Sequence, residues 1–368
     1  MHDQKREVVI VTGPTGFIGT ALINALARHF NIVGFDQPGP PHPPPIADCV
    51  CLDISSEESV QEALQSVREW HGERIASVIH LAAYYDFSGE PSPKYKEITV
   101  HGTERLLRSL RSFQVEQFIY SSSMLVYAPT QLGEPIDEDW PLGPKWDYPK
   151  SKVEAEEVIR ARHGEIPIVL LRIADLYDGL CHSPFLAHQI QRIYERRLIS
   201  HVFPGDISHG QSFLHLDDLV EAFVRLIERR RQLPPELILL LGEPETLSYD
   251  ELQREIGRLV HGEEWETREI SKPLAKAGAW LQDLVPGEEP FIKPWMINLA
   301  DDHYELDISR ARAILGWAPK RTLRATLPKM IAVLKADPLG WYRENEFEVP
   351  SWLEKLAAQS RSEASHGE

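Results

Sequence analysis

The chain is poor in basic residues: 39 Lys and Arg stand against 56 Asp and Glu, a formal charge of -17. That charge repels nucleic-acid phosphates and anionic membrane surfaces, and no Lys/Arg stripe offsets it locally, so neither is expected as a partner. Cysteine is scarce as well. Cys49, Cys51 and Cys181 are an odd number without a CxxC pair, which argues against a disulfide framework or a structural zinc. The 15 histidines include no HExxH and no His/Cys cluster at ligand spacing, so no metal is expected. No apolar run is long enough to cross a bilayer, and "MHDQKREVVIVTG" passes from polar residues into a short apolar run rather than a signal peptide. A cytoplasmic protein is the expectation.

What remains is ordinary globular composition, 42% hydrophobic and 26% charged, over a length of 368 residues that exceeds one usual domain. Continuous β-branched or apolar runs ("EVVIVTG", "NIVGFD", "CVCLDI", "SVIHLAA", "QFIYSSS", "IPIVLLRI") alternate with stretches of helical period. Strands buried on both faces and separated by helices predict a Rossmann-type doubly wound parallel sheet over residues 1–182. From 183 the pattern loosens into a smaller, mainly helical domain to about residue 340, with one strand-like run, "ELILLLG", whose sheet segments interleave with the first domain's. A capping box, Ser248 with Glu251, announces one of its helices. Residues 341–368 read as an extension carrying Trp341, Tyr342, Phe347 and Trp352, expected to pack back on the domain, and a disordered polar tail, "SRSEASHGE".

"TGPTGFIG" sets Gly13, Gly16 and Gly19 between the first strand and the first helix, which Phe17 and Ile18 open. Glycines there let the backbone approach a pyrophosphate whose charge is met by amides at the helix N-terminus. Asp36 closes the second strand at about the separation expected of a carboxylate holding the adenosine ribose hydroxyls. A 2'-phosphate would be repelled there, and no Lys or Arg occurs from Gln37 through Val67 to receive one. NAD, not NADP, is the expected cofactor.

In "WDYPKSK" Tyr148 precedes Lys152 by four residues, so on a helix both face one cleft. A phenol, with a pKa of about 10, is a poor base near neutrality, and an adjacent ammonium stabilises its phenolate. Ser123 ends the strand-like "YSSS" at the carboxyl edge of the sheet, where a doubly wound fold presents its ligand crevice.

"TGPTGFIG", "CLDI", "HLAA", "YSSSMLVY" and "YPKSK", in this order and spacing, resemble the extended short-chain dehydrogenase/reductase superfamily, and within it the NAD-dependent epimerase/dehydratase family. The likeness continues through "SFLHLDDLVEAF" and "DISRARAILGWAP". It implies that Tyr148 is the general base or acid, that Lys152 lowers its pKa and bonds the nicotinamide ribose, and that Ser123 binds the substrate oxygen. It also implies that Asp53 and Ile54 lie by the adenine, that Leu81, Ala82 and Ala83 line the path of the dinucleotide, and that the protein is a homodimer.

The resemblance has gaps. Gln211 stands where many sugar-nucleotide members carry an arginine for the substrate diphosphate, Asp175 where they carry an asparagine, and Thr99 replaces the asparagine of "NVxGT". Tyr84 and Tyr85, after "HLAA", are candidates to cover a substrate. Three readings stay open: an epimerase/dehydratase acting on a sugar nucleotide, a hydroxysteroid- or ketone-type dehydrogenase acting on an uncharged alcohol or ketone, and a non-catalytic NAD-sensing or scaffold protein.

Overall fold

In the computed structural model of the protein the apolar runs become a seven-stranded sheet: β1 (Val8–Thr12), β2 (Asn31–Asp36), β3 (Asp48–Cys51), β4 (Ser77–His80), β5 (Phe118–Ser123), β6 (Ile168–Ile173) and β7 (Glu236–Leu241). The structure describes residues 6–42, 44–86, 88–282, 292–356 and 358, with the backbone alone at 278–282. The expected polar tail at 360–368 lies outside the described residues. Strand order is β7-β6-β5-β4-β1-β2-β3, every pairing parallel. All carboxyl ends therefore meet one edge, and the order reverses between β1 and β4, where such a sheet opens a crevice.

Helices α1 (Phe17–Leu26), α2 (Glu57–His71), α3 (Gly102–Leu110) and α4 (Asp147–Arg162) occupy the crossovers. Ser56 caps α2 by accepting the Ser59 amide, and Glu57 and Glu58 complement the dipole of its first turn. Burial of residues such as Ile10, Val78, Phe118 and Leu107, each fully or almost fully removed from solvent, drives the assembly. Each contributes about 1.5–3 kcal/mol by leaving water, and Ile10→Ala in the middle of β1 would cost about 2–5 kcal/mol.

This sheet unit runs to Ala174 and also takes in Leu216–Pro244 and Tyr304–Lys320. The first stretch thus ends at Ala174 and not at the expected 182, and two segments from the range 183–340 interleave with it. "ELILLL" is fully apolar in its second half because it is β7, paired along its length with β6. The helix Leu216–Arg229 packs on α1 with Leu219, Phe223 and Leu226 buried. Both segments satisfy their apolar faces on the sheet rather than among the helices that follow.

The second unit comprises Asp175–His215, Glu245–His303 and the chain from Arg321. It is mainly helical, with Pro184–Tyr194, Tyr249–His261 and Leu323–Ala336 gathered around Tyr177, Ile190, Ile256, Leu327 and Met330. The capping box forms: Ser248 Oγ accepts the Glu251 amide and the Glu251 carboxylate accepts the Ser248 amide, at 3.2 and 3.0 Å. Trp341 and Tyr342, in the segment expected to pack back on the domain, belong to this core.

Candidate active site

The glycine turn lies at the point where the strand order reverses. Gly13 has φ +71°, a conformation L side chains resist, and its amide reaches back to the Phe35 carbonyl at 3.0 Å. A Cβ at Gly19 would overlap the Gly13 carbonyl oxygen and stand 2.8 Å from Pro14 Cα. Gly16 takes the N-cap position of α1 with no side-chain cap and no acidic residue in the first turn, so the positive end of the helix dipole faces this turn without a carboxylate of its own. Phe17 and Ile18 open the helix half-buried. Asp36, at the end of β2, accepts the Thr15 hydroxyl at 2.6 Å and the Gln37 amide at 2.9 Å, which aims its carboxylate beside the same turn. A closely approached backbone, a helix N-terminus without a side-chain cap and an oriented carboxylate fit a dinucleotide. Asp53 is exposed, its carboxyl held below the usual range by hydrogen bonds from Ser55. Ile54, expected by the adenine, is buried in the sheet core against Gly102.

Leu81, Ala82 and Ala83 leave β4 half-buried alongside this turn, with the Ala82 amide nitrogen 3.5 Å from where a Gly13 Cβ would be. A relay of hydrogen bonds that sequence reasoning missed fixes them. Thr103 Oγ1 donates to the Thr99 carbonyl at 2.6 Å, so it accepts from Nε2–H of His80 at 2.8 Å. The Nδ1 of that neutral imidazole accepts the Thr12 hydroxyl at 2.8 Å. Thr12 Oγ1 in turn accepts the amides of Leu81 and Ala82 at 3.1 and 3.0 Å. Burial, with the Lys152 ammonium adding to it, pushes the His80 imidazole down to about 3, consistent with the neutral form that the relay requires. Thr99 holds the far end of the loop by accepting the Tyr84 amide at 3.0 Å.

Tyr148 and Lys152 sit one turn apart at the start of α4. Lys152 is 3% exposed, and its Nζ donates to the Ser121 carbonyl at 2.8 Å and lies 4.9 Å over the Tyr120 ring and 5.5 Å over that of Tyr148. Burial lowers it to about 7, while Glu156, one turn further on, pulls the other way. Tyr148 is flanked by Tyr85 and Trp146, ring centroids 4.7 and 5.4 Å away, whereas Tyr84 turns to Tyr95. Ser123 is buried and its Oγ accepts the Leu125 amide at 3.2 Å, an interaction that uses a lone pair and not the proton. One unit thus brings together Ser123, Tyr148, Lys152, the glycine turn and Asp36.

In the second unit Asp175 accepts the Ser183 hydroxyl at 2.8 Å and the Gln211 amide at 3.3 Å. Burial drives its carboxyl up to about 6, against the pull of the Ser183 hydroxyl and the Leu176 amide. Among the described residues no group of three or more His, Cys, Asp and Glu side chains is arranged to hold a metal ion.

The model of the NAD dependent epimerase/dehydratase family matches residues 9–242. UDP-glucose 4-epimerase of Vibrio cholerae is 24% identical over 332 residues, 86% of this chain and 92% of that protein. dTDP-D-glucose 4,6-dehydratase of Homo sapiens is 24% identical over 357 residues, 92% of this chain and 90% of that protein. In structure, UDP-glucuronic acid 4-epimerase from Bacillus cereus, solved with UDP-glucuronic acid and NAD, superposes with a TM-score of 0.67 at 22% identity, covering 89% of this chain and 99% of that one. The structural likeness bears on the fold, the family match on the lineage.

Proposed function

The chain belongs to the NAD-dependent epimerase/dehydratase family, and from that premise we propose that it is an extended short-chain enzyme acting on a sugar nucleotide, with Tyr148 as its general base or acid. NAD, when bound, supplies a hydride acceptor at the nicotinamide. Gly13, Gly16 and Gly19 let the backbone meet the pyrophosphate, and Asp36 takes the ribose hydroxyls. Tyr148 exchanges a proton with the substrate hydroxyl, Lys152 stabilises the phenolate by its charge, and Ser123 orients the substrate oxygen. The observation that carries this reading is Lys152, a lysine 3% exposed within one helical turn of a tyrosine and bonded to a backbone carbonyl among the strand-end serines. A structural lysine is seldom so buried without a carboxylate bonded to its own nitrogen.

A second reading, a dehydrogenase of uncharged alcohols or ketones, draws on the contact between Gln211 and Asp175, where an arginine for a diphosphate is absent. Thermal-shift measurement of the NAD-loaded protein with UDP-, dTDP-, GDP- and CDP-sugars separates the two, since binding to the folded state raises its apparent stability. A shift with one nucleotide supports the sugar-nucleotide reading, and a shift with NAD alone supports the second. Full turnover by Tyr148→Phe would refute both. A homodimer through α3 and α4 and a cytoplasmic location complete the proposal. The two exposed free thiols, Cys49 and Cys51, support a reducing compartment, and light scattering on the purified protein tests the dimer.

A further inference from the structure

Glu156, a buried carboxylate of the sheet unit, stands on α4 one turn beyond Lys152 and is 2% exposed. Its Oε1 accepts the Ser122 hydroxyl at 2.6 Å and Arg172 Nε at 3.0 Å, and its Oε2 accepts Arg172 Nη2 at 2.6 Å. Arg172 lies directly across the β5–β6 ladder from Ser122, donates to the Glu138 carbonyl at 3.3 Å and stacks over the Tyr127 ring at 4.7 Å. One carboxylate therefore clamps helix α4 to two neighbouring strands.

The clamp closes on the middle of the three serines. Ser121 gives its carbonyl to Lys152, Ser122 gives its hydroxyl to Glu156, and Ser123 presents the hydroxyl at the strand end. Residues alternate faces along a strand, so Ser122 projects opposite to its neighbours and can be gripped without blocking Ser123. We propose that Glu156 is a positioning residue of this site, fixing α4 to the strand end that carries Ser123 and supplying the negative charge against which Lys152 stays an ammonium. The inference rests on the roles of Tyr148 and Lys152 proposed above. The groups that face Lys152 are Tyr148 and Glu156 on its own helix, Tyr120 on β5, and the neutral His80 on β4. Glu156 is the one carboxylate among them, and its removal leaves the guanidinium of Arg172 uncompensated, a further penalty on a second cation.

The test follows the Lys152 side chain directly, in the intact protein and without a substrate. Lysine labelled at Cε is titrated by NMR, and the Lys152 signal is identified by its loss in Lys152→Met. Wild-type Lys152 is expected to titrate near 7 and Glu156→Gln at least one pH unit lower, so that the ammonium fraction at pH 7 falls about fivefold. Ser122→Ala, which cuts the tether and keeps the charge, is expected to leave the titration in place while amide exchange in the segment Phe118–Leu125 speeds at least about tenfold. Where Glu156→Gln fails to fold because Arg172 is stranded, Glu156→Gln/Arg172→Met removes the pair as a unit. A Lys152 titration displaced by less than about 0.3 of a pH unit overturns the charge role, and unchanged exchange in Ser122→Ala overturns the clamp. Full turnover by Tyr148→Phe with Lys152 displaced as expected would defeat the proposed mechanism and leave this inference standing.

Discussion

Thr12→Val isolates the relay behind the cofactor loop. The substitution keeps the volume of a fully buried side chain and removes one hydroxyl. That hydroxyl accepts two amides, Leu81 and Ala82, and donates to His80 Nδ1, so three polar groups lose their partner in a place water does not reach. Each buried group left unsatisfied costs about 1–3 kcal/mol, and with relaxation shared among them the sum is about 3–6 kcal/mol. Measured against a typical total of about 5–15 kcal/mol, this is a large part of the folding free energy. At about 2–4 °C per kcal/mol, differential scanning fluorimetry should record a fall of roughly 6–24 °C. Titration calorimetry should record NAD affinity lower by at least about tenfold, because the loop that Thr12 holds lines the proposed dinucleotide path. Thr20→Val is the control, since its half-buried hydroxyl makes a single bond to the Pro14 carbonyl at 3.3 Å and its loss should cost less than about 1 kcal/mol. If the two variants melted within about 2 °C of each other, the directed relay and the neutral His80 would both be wrong.

Gly19→Ala should abolish NAD-dependent thermal stabilisation, because the new methyl overlaps the Gly13 carbonyl and the turn must open; retained stabilisation would show that the turn is not the pyrophosphate site. Tyr85→Ala removes a half-exposed ring packed edge-on against Tyr148, a pair worth about 0.5–1.5 kcal/mol, so turnover should fall about threefold to tenfold with little change in melting temperature. Asp175→Asn should stabilise the protein by about 3 kcal/mol at pH 8 and not below about pH 4. The folded carboxyl, near 6, lies above the unfolded value of about 3.9, so its ionisation withdraws stability as pH rises through that window, and chemical denaturation at the two pH values measures it.

The fold and the glycine turn of the candidate site were legible because they rest on local rules. A β-branched run, a glycine turn and an amphipathic helix each show in a short window, and "TGPTGFIG" leads into α1 where the spacing predicts. Tyr148 and Lys152 were legible for the same reason, as an i, i+4 pair on one helix. Their buried supports were not. Glu156 continues that spacing by one more turn, but a glutamate in "KVEAEEV" reads as a solvated face until β6 brings Arg172 across from Ser122. His80 is inside the quoted motif "HLAA", yet its partners Thr12 and Thr103 come from a different strand and helix, and no pattern of periodicity links them. The domain boundary slipped because β7 and the helix Leu216–Arg229 return to the sheet after a segment of the second unit.

The charges of the second unit bear on the choice of substrate. The Gln211 side-chain amide donates to Asp175 at 3.3 Å and Arg196 pairs with Glu263 at 2.7 Å, so both groups are turned to carboxylates. A phosphate charge within about 5 Å of an ionised Asp175 would meet a repulsion of about 3 kcal/mol at an effective dielectric near 20. Protonating Asp175 first costs about 1.4 kcal/mol at pH 7, since its carboxyl lies one unit below that pH. The smaller cost wins, and a sugar nucleotide bound there would take up a proton. Its affinity should then weaken about tenfold per pH unit above pH 6 in the wild type and stay flat in Asp175→Asn. An uncharged alcohol or ketone gains nothing from that proton, so its affinity would show no such slope. The pH dependence of binding thus separates the two substrate classes before any product is identified.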